Sequence, residues 1–221
     1  MPHFPVTRAR ADRAVPAGRV GYDLNADRVL LHTFQTEDAL GELLSTGQLL
    51  PDPKRAEPPF ADAYGWMLRE MGRRLPTSGD SALWFWARTT RGCLVDSCRN
   101  QRGGVLLTCR IPRERVLLSH FWDWHRALNG TPHVLELPCE SDEDFEARRD
   151  RIWDELDDRK RAAGVFDKGF LEWPEDVRLD LERGWEQFLD PATYGRWDTV
   201  QATAHSLHAE DVIEAVRLDP L

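Results

Sequence analysis

The chain has 221 residues, 41% of them hydrophobic, enough to enclose one sizeable core. Its 38 Asp plus Glu against 29 Lys plus Arg leave a net charge of −9. That field repels phosphate backbones and anionic lipid, which excludes broad nucleic-acid binding and a membrane-surface role.

Residues 1–27 mix Pro, Arg, Ala and Gly without a period and read as an N-terminal arm that packs only in places, with regular order beginning at Val29. The first strand is expected at Val29–Gln35, where an apolar run ends in polar groups at His32, Thr33 and Gln35. Thr36 is placed to cap a helix with Glu37 and Asp38 in its first turn and Leu40, Leu43 and Leu44 on one face; Gly47 ends it, and Gln48–Leu50 is extended. After a Pro-rich break, Phe60, Tyr64, Met67, Leu68 and Met71 recur at helical spacing up to Arg74. Ala82–Ala87 is a short aromatic strand, and the segment with Cys93 and Cys98 is expected to be a polar loop.

Further strands are predicted at Val105–Ile111, Val116–Ser119 and, more weakly patterned, His133–Leu137, with a brief helix at Asp123–Leu128. Ser141 with Asp144 three residues on resembles a capping box for a charged helix reaching about Ala163. A second helix follows over about 174–189, an alternating strand over 199–207 and a last strand at Ala215–Leu218. These elements lack a regular βαβ rhythm. They predict an α+β class with a twisted, mostly antiparallel sheet flanked by helices, in one domain from 28 to 221. The four cysteines, at 93, 98, 109 and 139, form no CxxC pair and predict free thiols in a reducing, cytoplasmic setting. No apolar leader is present, and no run approaches the roughly 18 apolar residues of a spanning helix.

Several strings in order, LHTFQTEDAL and ELLSTGQL, AYGWMLREM, LWFWA, VLLSHFWDWHRALN, VQATAHSL and AEDV, resemble the bacterial family labelled domain of unknown function 3841 (DUF3841). That likeness spans about residues 29–218 and brings no activity with it. More distantly, His32-Thr33 at a strand end followed by Gly47-Gln48-Leu49 is similar to the opening of ADP-ribosyltransferase-like domains. The resemblance implies that NAD is the cofactor, that His32 orients its ribose and that the backbone at Thr33 holds the nicotinamide amide. It also implies an aromatic stacking partner, for which Tyr64, Trp66 and Trp84 are candidates. Such domains carry a catalytic carboxylate on a late strand, where this chain has Gln201, with Thr203 beside it. A neutral amide stabilises the positive charge developing on ribose only weakly, although it can still bridge hydroxyls. Glu136, Glu140, Glu172 and Glu210 are the other carboxylates that could supply an acid.

The expected site is therefore a cleft lined by His32, Thr33, Gln35, an aromatic wall and Gln201, binding a small-molecule nucleotide and, if it transfers, acting on a protein. Each of these residues also has a structural explanation, such as helix-to-sheet packing for Tyr64 and Trp66. His120, Asp123 and His125 match no strong metal pattern, and Ser119 lacks the elbow of a nucleophilic serine. No Gly-rich phosphate loop is present. The competing expectation is a non-catalytic module that docks a protein through its acidic helices.

Overall fold

The fold was analysed in a computed structural model that describes residues 4–17, 21, 23–55, 58–101 and 103–219. In chain order its elements are β1 (Val6–Ala9), α1 (Ala11–Ala14), β2 (Arg28–Gln35), α2 (Glu37–Thr46), β3 (Gln48–Leu49) and α3 (Ala61–Arg74). Then come β4 (Leu83–Arg88), α4 (Arg91–Asn100), β5 (Val105–Pro112), β6 (Leu117–His120) and α5 (Phe121–Leu128). The chain continues with α6 (Asp142–Ala162), α7 (Glu175–Trp185), β7 (Val200–Ala204), β8 (Leu207–His208) and β9 (Val212–Leu218). A seven-stranded sheet runs in the order β1-β9-β5-β2-β4-β7-β6, and β3 pairs with β8 in a second, small sheet. All ladders are antiparallel except β1 on β9. The chain is an α+β protein with a mixed, mostly antiparallel sheet.

Local chemistry explains the elements that match the sequence. Thr36 Oγ1 accepts the Ala39 amide at 3.1 Å, and Gly47, at φ +80°, closes α2 through a bond from its amide to the Leu43 carbonyl. Ser141 Oγ likewise accepts the Asp144 amide at the start of α6.

Four expectations need correction. The arm contributes an edge strand, β1, because β9 offers it an open edge. The segment with Cys93 and Cys98 is a helix, not a loop: Thr90 caps it, and Leu94, Val95 and Cys98 share a buried stripe. His133–Leu137 forms no strand; Leu137 is exposed and the segment is irregular. The run 199–207 splits, since its last part leaves the main sheet to pair with β3.

One face of the sheet is a continuous apolar layer. Val29 and Leu31 of β2, Phe85 of β4, Leu107 and Ile111 of β5 and Ala202 of β7 pack there with Leu40 and Leu43 of α2. Each fully buried side chain of this size contributes roughly 1.5–3 kcal/mol. The other face carries two separate groups of helices. On one side α1 and α4 cover Leu106 and Val216. On the other, α3, α5 and α7 enclose Trp66, Trp124, Trp185 and Phe188. The sheet is thus sealed on one side and divided by a seam on the other.

Candidate functional site

β2 is paired along its whole length with β5, from Arg28↔Pro112 to Gln35↔Val105. On its other edge the contact with β4 is a single Cα pair among the described residues, His32↔Trp86. Past that point the two strands diverge into a fork. Thr33 Oγ1 donates to the Trp84 carbonyl at 2.8 Å and accepts from Gln35 Nε2 at 3.0 Å, so side chains hold the fork where backbone bonds have stopped.

A cleft of about 420 Å³ opens in the fork. Of the residues expected to line it, Thr33, Gln35, Tyr64 and Trp84 do so, whereas His32, Gln201, Trp66 and Thr203 do not. Tyr64 and Trp84 meet edge to face at 5.9 Å, and Trp84 leans on Trp124 at 5.1 Å, so the aromatic wall is braced from behind. The cleft's four lining carboxylates were not foreseen: Asp38 and Glu42 of α2, Asp52 of the loop after β3, and Asp80 before β4. Asp38 and Glu42 stand four residues apart, facing away from the buried Leu40 and Leu43. That spacing was readable in the sequence; that α2 borders a cavity was not. Among the described residues lining the cleft there is no Lys, Arg or His.

The apex of the fork belongs to a row that crosses the sheet. His32 pairs with Thr108 on one side and Trp86 on the other, Trp86 pairs with Gln201, and Gln201 pairs with Ser119. Direct partners in antiparallel ladders project to the same face, so all five side chains share one. With strands spaced about 4.8 Å apart, His32 and Gln201 are separated by roughly 10 Å of sheet, with Trp86 between them. A register shift follows Trp86 in the ladder between β4 and β7. Gly21 comes so close to that bulge that a Cβ would overlap the Ala87 carbonyl, and its φ of +77° favours glycine independently.

His32 is fully buried. Burial lowers its pKa from 6.5 to about 4, so the ring is neutral at neutral pH. Its Nδ1 meets Thr108 Oγ1 at 3.2 Å, while Nε2 has no hydrogen-bond partner among the described residues. Gln201 is half-buried and its Oε1 is likewise unpartnered, as is Ser119 Oγ beside it. Three orphaned polar atoms in one row are costly, at about 1–3 kcal/mol each, and such groups in a native fold call for an explanation.

Two candidates fall outside both cleft and row. Trp66 is enclosed by Trp124, Trp185 and Phe188 and serves the core. Thr203 is fully buried, and its hydroxyl bonds the Leu117 carbonyl at 3.4 Å. Trp86 is the aromatic residue that stands between His32 and Gln201. Alternation along β4 gives Trp84 and Trp86 one face, yet they sit on opposite sides of the seam, Trp84 with the α3 group and Trp86 with the α4 group. Phe121, the first residue of α5, sets its ring 5.0 Å from that of Trp86.

At the corner after β6, His120 occupies the cap position of α5, with Nδ1 2.5 Å from Asp123 Oδ2. A contact that short needs a proton on Nδ1, so the ring donates to the carboxylate. Burial opposes the charged form of His120, but the bond and charge of Asp123, helped by Asp198, outweigh it and raise the pKa. His133 approaches the same carboxylate at 3.6 Å, and its pKa is lowered, chiefly by burial. His125 turns away to the Phe121 carbonyl. Among the described residues, no group of three or more His, Cys, Asp or Glu is arranged to hold a metal ion. No helix there is long and apolar enough to cross a membrane.

The fold and the fork define a class: an α+β domain with a ligand-sized cleft where two neighbouring strands part. A family model described as "Domain of unknown function (DUF3841)" matches residues 30–213, and the chain belongs to that family. No curated protein and no solved structure matches it.

Proposed function

We propose that the chain is a nucleotide-binding domain of the NAD type, related in its chemistry to ADP-ribosyltransferases, with its site at the apex of the fork. The observation that carries this reading is the His32–Trp86–Gln201 row. A neutral His32, with Nδ1 occupied by Thr108, keeps Nε2 unpartnered among the described residues, beneath the side chains that bury it, and a ribose hydroxyl that displaced them would bond it. Trp86 offers a ring face, and Gln201 can act as donor and acceptor to hydroxyls. Thr33 and Gln35 supply hydroxyl and amide groups one step into the cleft. We place this activity in the cytoplasm, where the free cysteines remain thiols.

Binding needs no carboxylate in the row, but breaking the bond between nicotinamide and ribose does, because the ribose becomes positively charged as nicotinamide leaves with the bonding electrons. Gln201 cannot neutralise that charge. The reading therefore expects tight binding and slow turnover. Titration calorimetry with NAD, together with chromatographic detection of released nicotinamide, tests it. Heat of binding is expected in the natural protein, weakened at least about tenfold in His32→Leu. Gln201→Glu, which sets a carboxylate in the row, is expected to raise nicotinamide release. No heat and no nicotinamide at millimolar NAD would overturn the proposal.

A further inference from the structure

Both lips of the fork cleft fasten to the short junction between β7 and β8. One lip is the segment 76–82, which leads into β4 and brings Asp80, Ser81 and Ala82 to the cleft. It is mostly exposed, and its only side-chain hydrogen bond among the described residues joins Thr77 Oγ1 and His205 Nδ1 at 2.9 Å. Gly79 rests on the same imidazole: a Cβ there would lie 3.0 Å from His205 Cδ2. The other lip, residues 49–53, follows β3 and also lines the cleft. β3 is held by β8 through the pairs Gln48↔His208 and Leu49↔Leu207, and by the bond from the Ala209 amide to the Gly47 carbonyl at 2.9 Å.

Between β7 and β8 stand His205 and Ser206 alone. On either side of them Ala204 and Leu207 are fully buried in the apolar layer, and His205 itself is 4% exposed. A link that short between two packed anchors has no slack, because close-packed side chains transmit a displacement rather than absorb it. A shift of the first lip at His205 therefore reaches Leu207, two residues on, and through its pairing with Leu49 the second lip.

We propose that the β7–β8 junction is a latch for the fork cleft: while Thr77 holds His205 both lips stay in place, and when that contact is lost they loosen together. Exposed segments with few bonds lie at the low-stability end of a fold, from which lids are drawn. The latch needs no ligand, so it stands or falls separately from the nucleotide reading.

Nuclear magnetic resonance on the full chain without ligand tests it in Thr77→Val, which keeps the shape of the side chain and deletes its hydroxyl, and in Thr77→Ser, which restores the hydroxyl. In the natural protein the amides of 76–82 are expected to be ordered, with order parameters near about 0.85, and in Thr77→Val these should fall below about 0.6. The second lip supplies the decisive reading. Hydrogen exchange of the Ala209 amide should accelerate at least about fivefold in Thr77→Val, while the amides of β5 keep their natural rates and Thr77→Ser behaves like the natural protein. An ordered 76–82 in Thr77→Val, a loosened first lip with Ala209 unchanged, equal acceleration in β5, or failure of Thr77→Ser to restore the natural rates would each overturn the latch.

Discussion

The two ends of β2 handle charge in opposite ways. At the Arg28 end the buried Asp211 lies between Arg28 and Arg115, each 2.7 Å from one of its oxygens, and Arg28 also bonds the Arg110 carbonyl at 2.6 Å. At the Gln35 end, carboxylates gather around a cleft with no cation among its described lining residues. A buried charge with two partners holds structure together. A set of like charges left facing one cavity disfavours the folded state through self-repulsion and is better explained by what the cavity receives.

The sharpest way to break that contrast is at the closed end. Asp211→Asn removes the carboxylate on which two arginines converge and is expected to lower unfolding free energy by roughly 3–5 kcal/mol. Urea denaturation measures it, and a loss under about 1 kcal/mol would mean the two ends do not differ as argued.

The apex gives the next largest effect, through pH. His32 is neutral in the fold down to about pH 4 but takes up a proton near 6.5 when unfolded. Its contribution is therefore fully present above about pH 6.5 and is lost as the pH falls toward 4, worth at most about 3 kcal/mol. His133 and His205, both lowered by burial, act in the same direction, while the raised pKa of His120 favours folding at lower pH. His32→Leu should flatten the acid-side slope of stability against pH, and an unchanged slope would show that another group is responsible.

At the fork, Thr33→Val deletes the hydroxyl that holds the Trp84 carbonyl. It should cost about 1 kcal/mol. Faster amide exchange is expected at the facing ends of β2 and β4, and not at the Arg28 end. The smallest effect has the opposite sign: Glu42→Gln relieves a like-charge pair with Asp38 across one helical turn and should add a few tenths of a kcal/mol, about 0.2–0.5. Thermal unfolding at low salt would register it, and loss of stability there would mean that Glu42 has a structural partner.

Much of the fold was legible along the chain because caps and periods are local. Thr36 with Gly47 bounded α2, and Ser141 with Asp144 opened α6. The failures have a common cause in pairing. Val6–Ala9 became a strand only because β9 left an edge beside it, and His133–Leu137 found no partner despite its alternation. For the site, the polar end of β2 and the aromatic walls Tyr64 and Trp84 were visible from residue type. The choice of Trp86 over Trp66, and the carboxylates of α2, were not.

What the sequence determined by itself is the set of elements and the chemistry at their ends, because hydrogen-bonded caps, helical stripes and strand alternation act over a few residues. Only the tertiary structure decided that β4 and β7 lie in turn beside β2, placing Trp86 between His32 and Gln201, and that β2 and β4 part after one pair. Strand order joins residues up to 209 positions apart, as the pairing of Val6 with Ala215 shows. Local propensity holds no information over such a distance, so packing of the whole sheet must settle which edges meet and where they open.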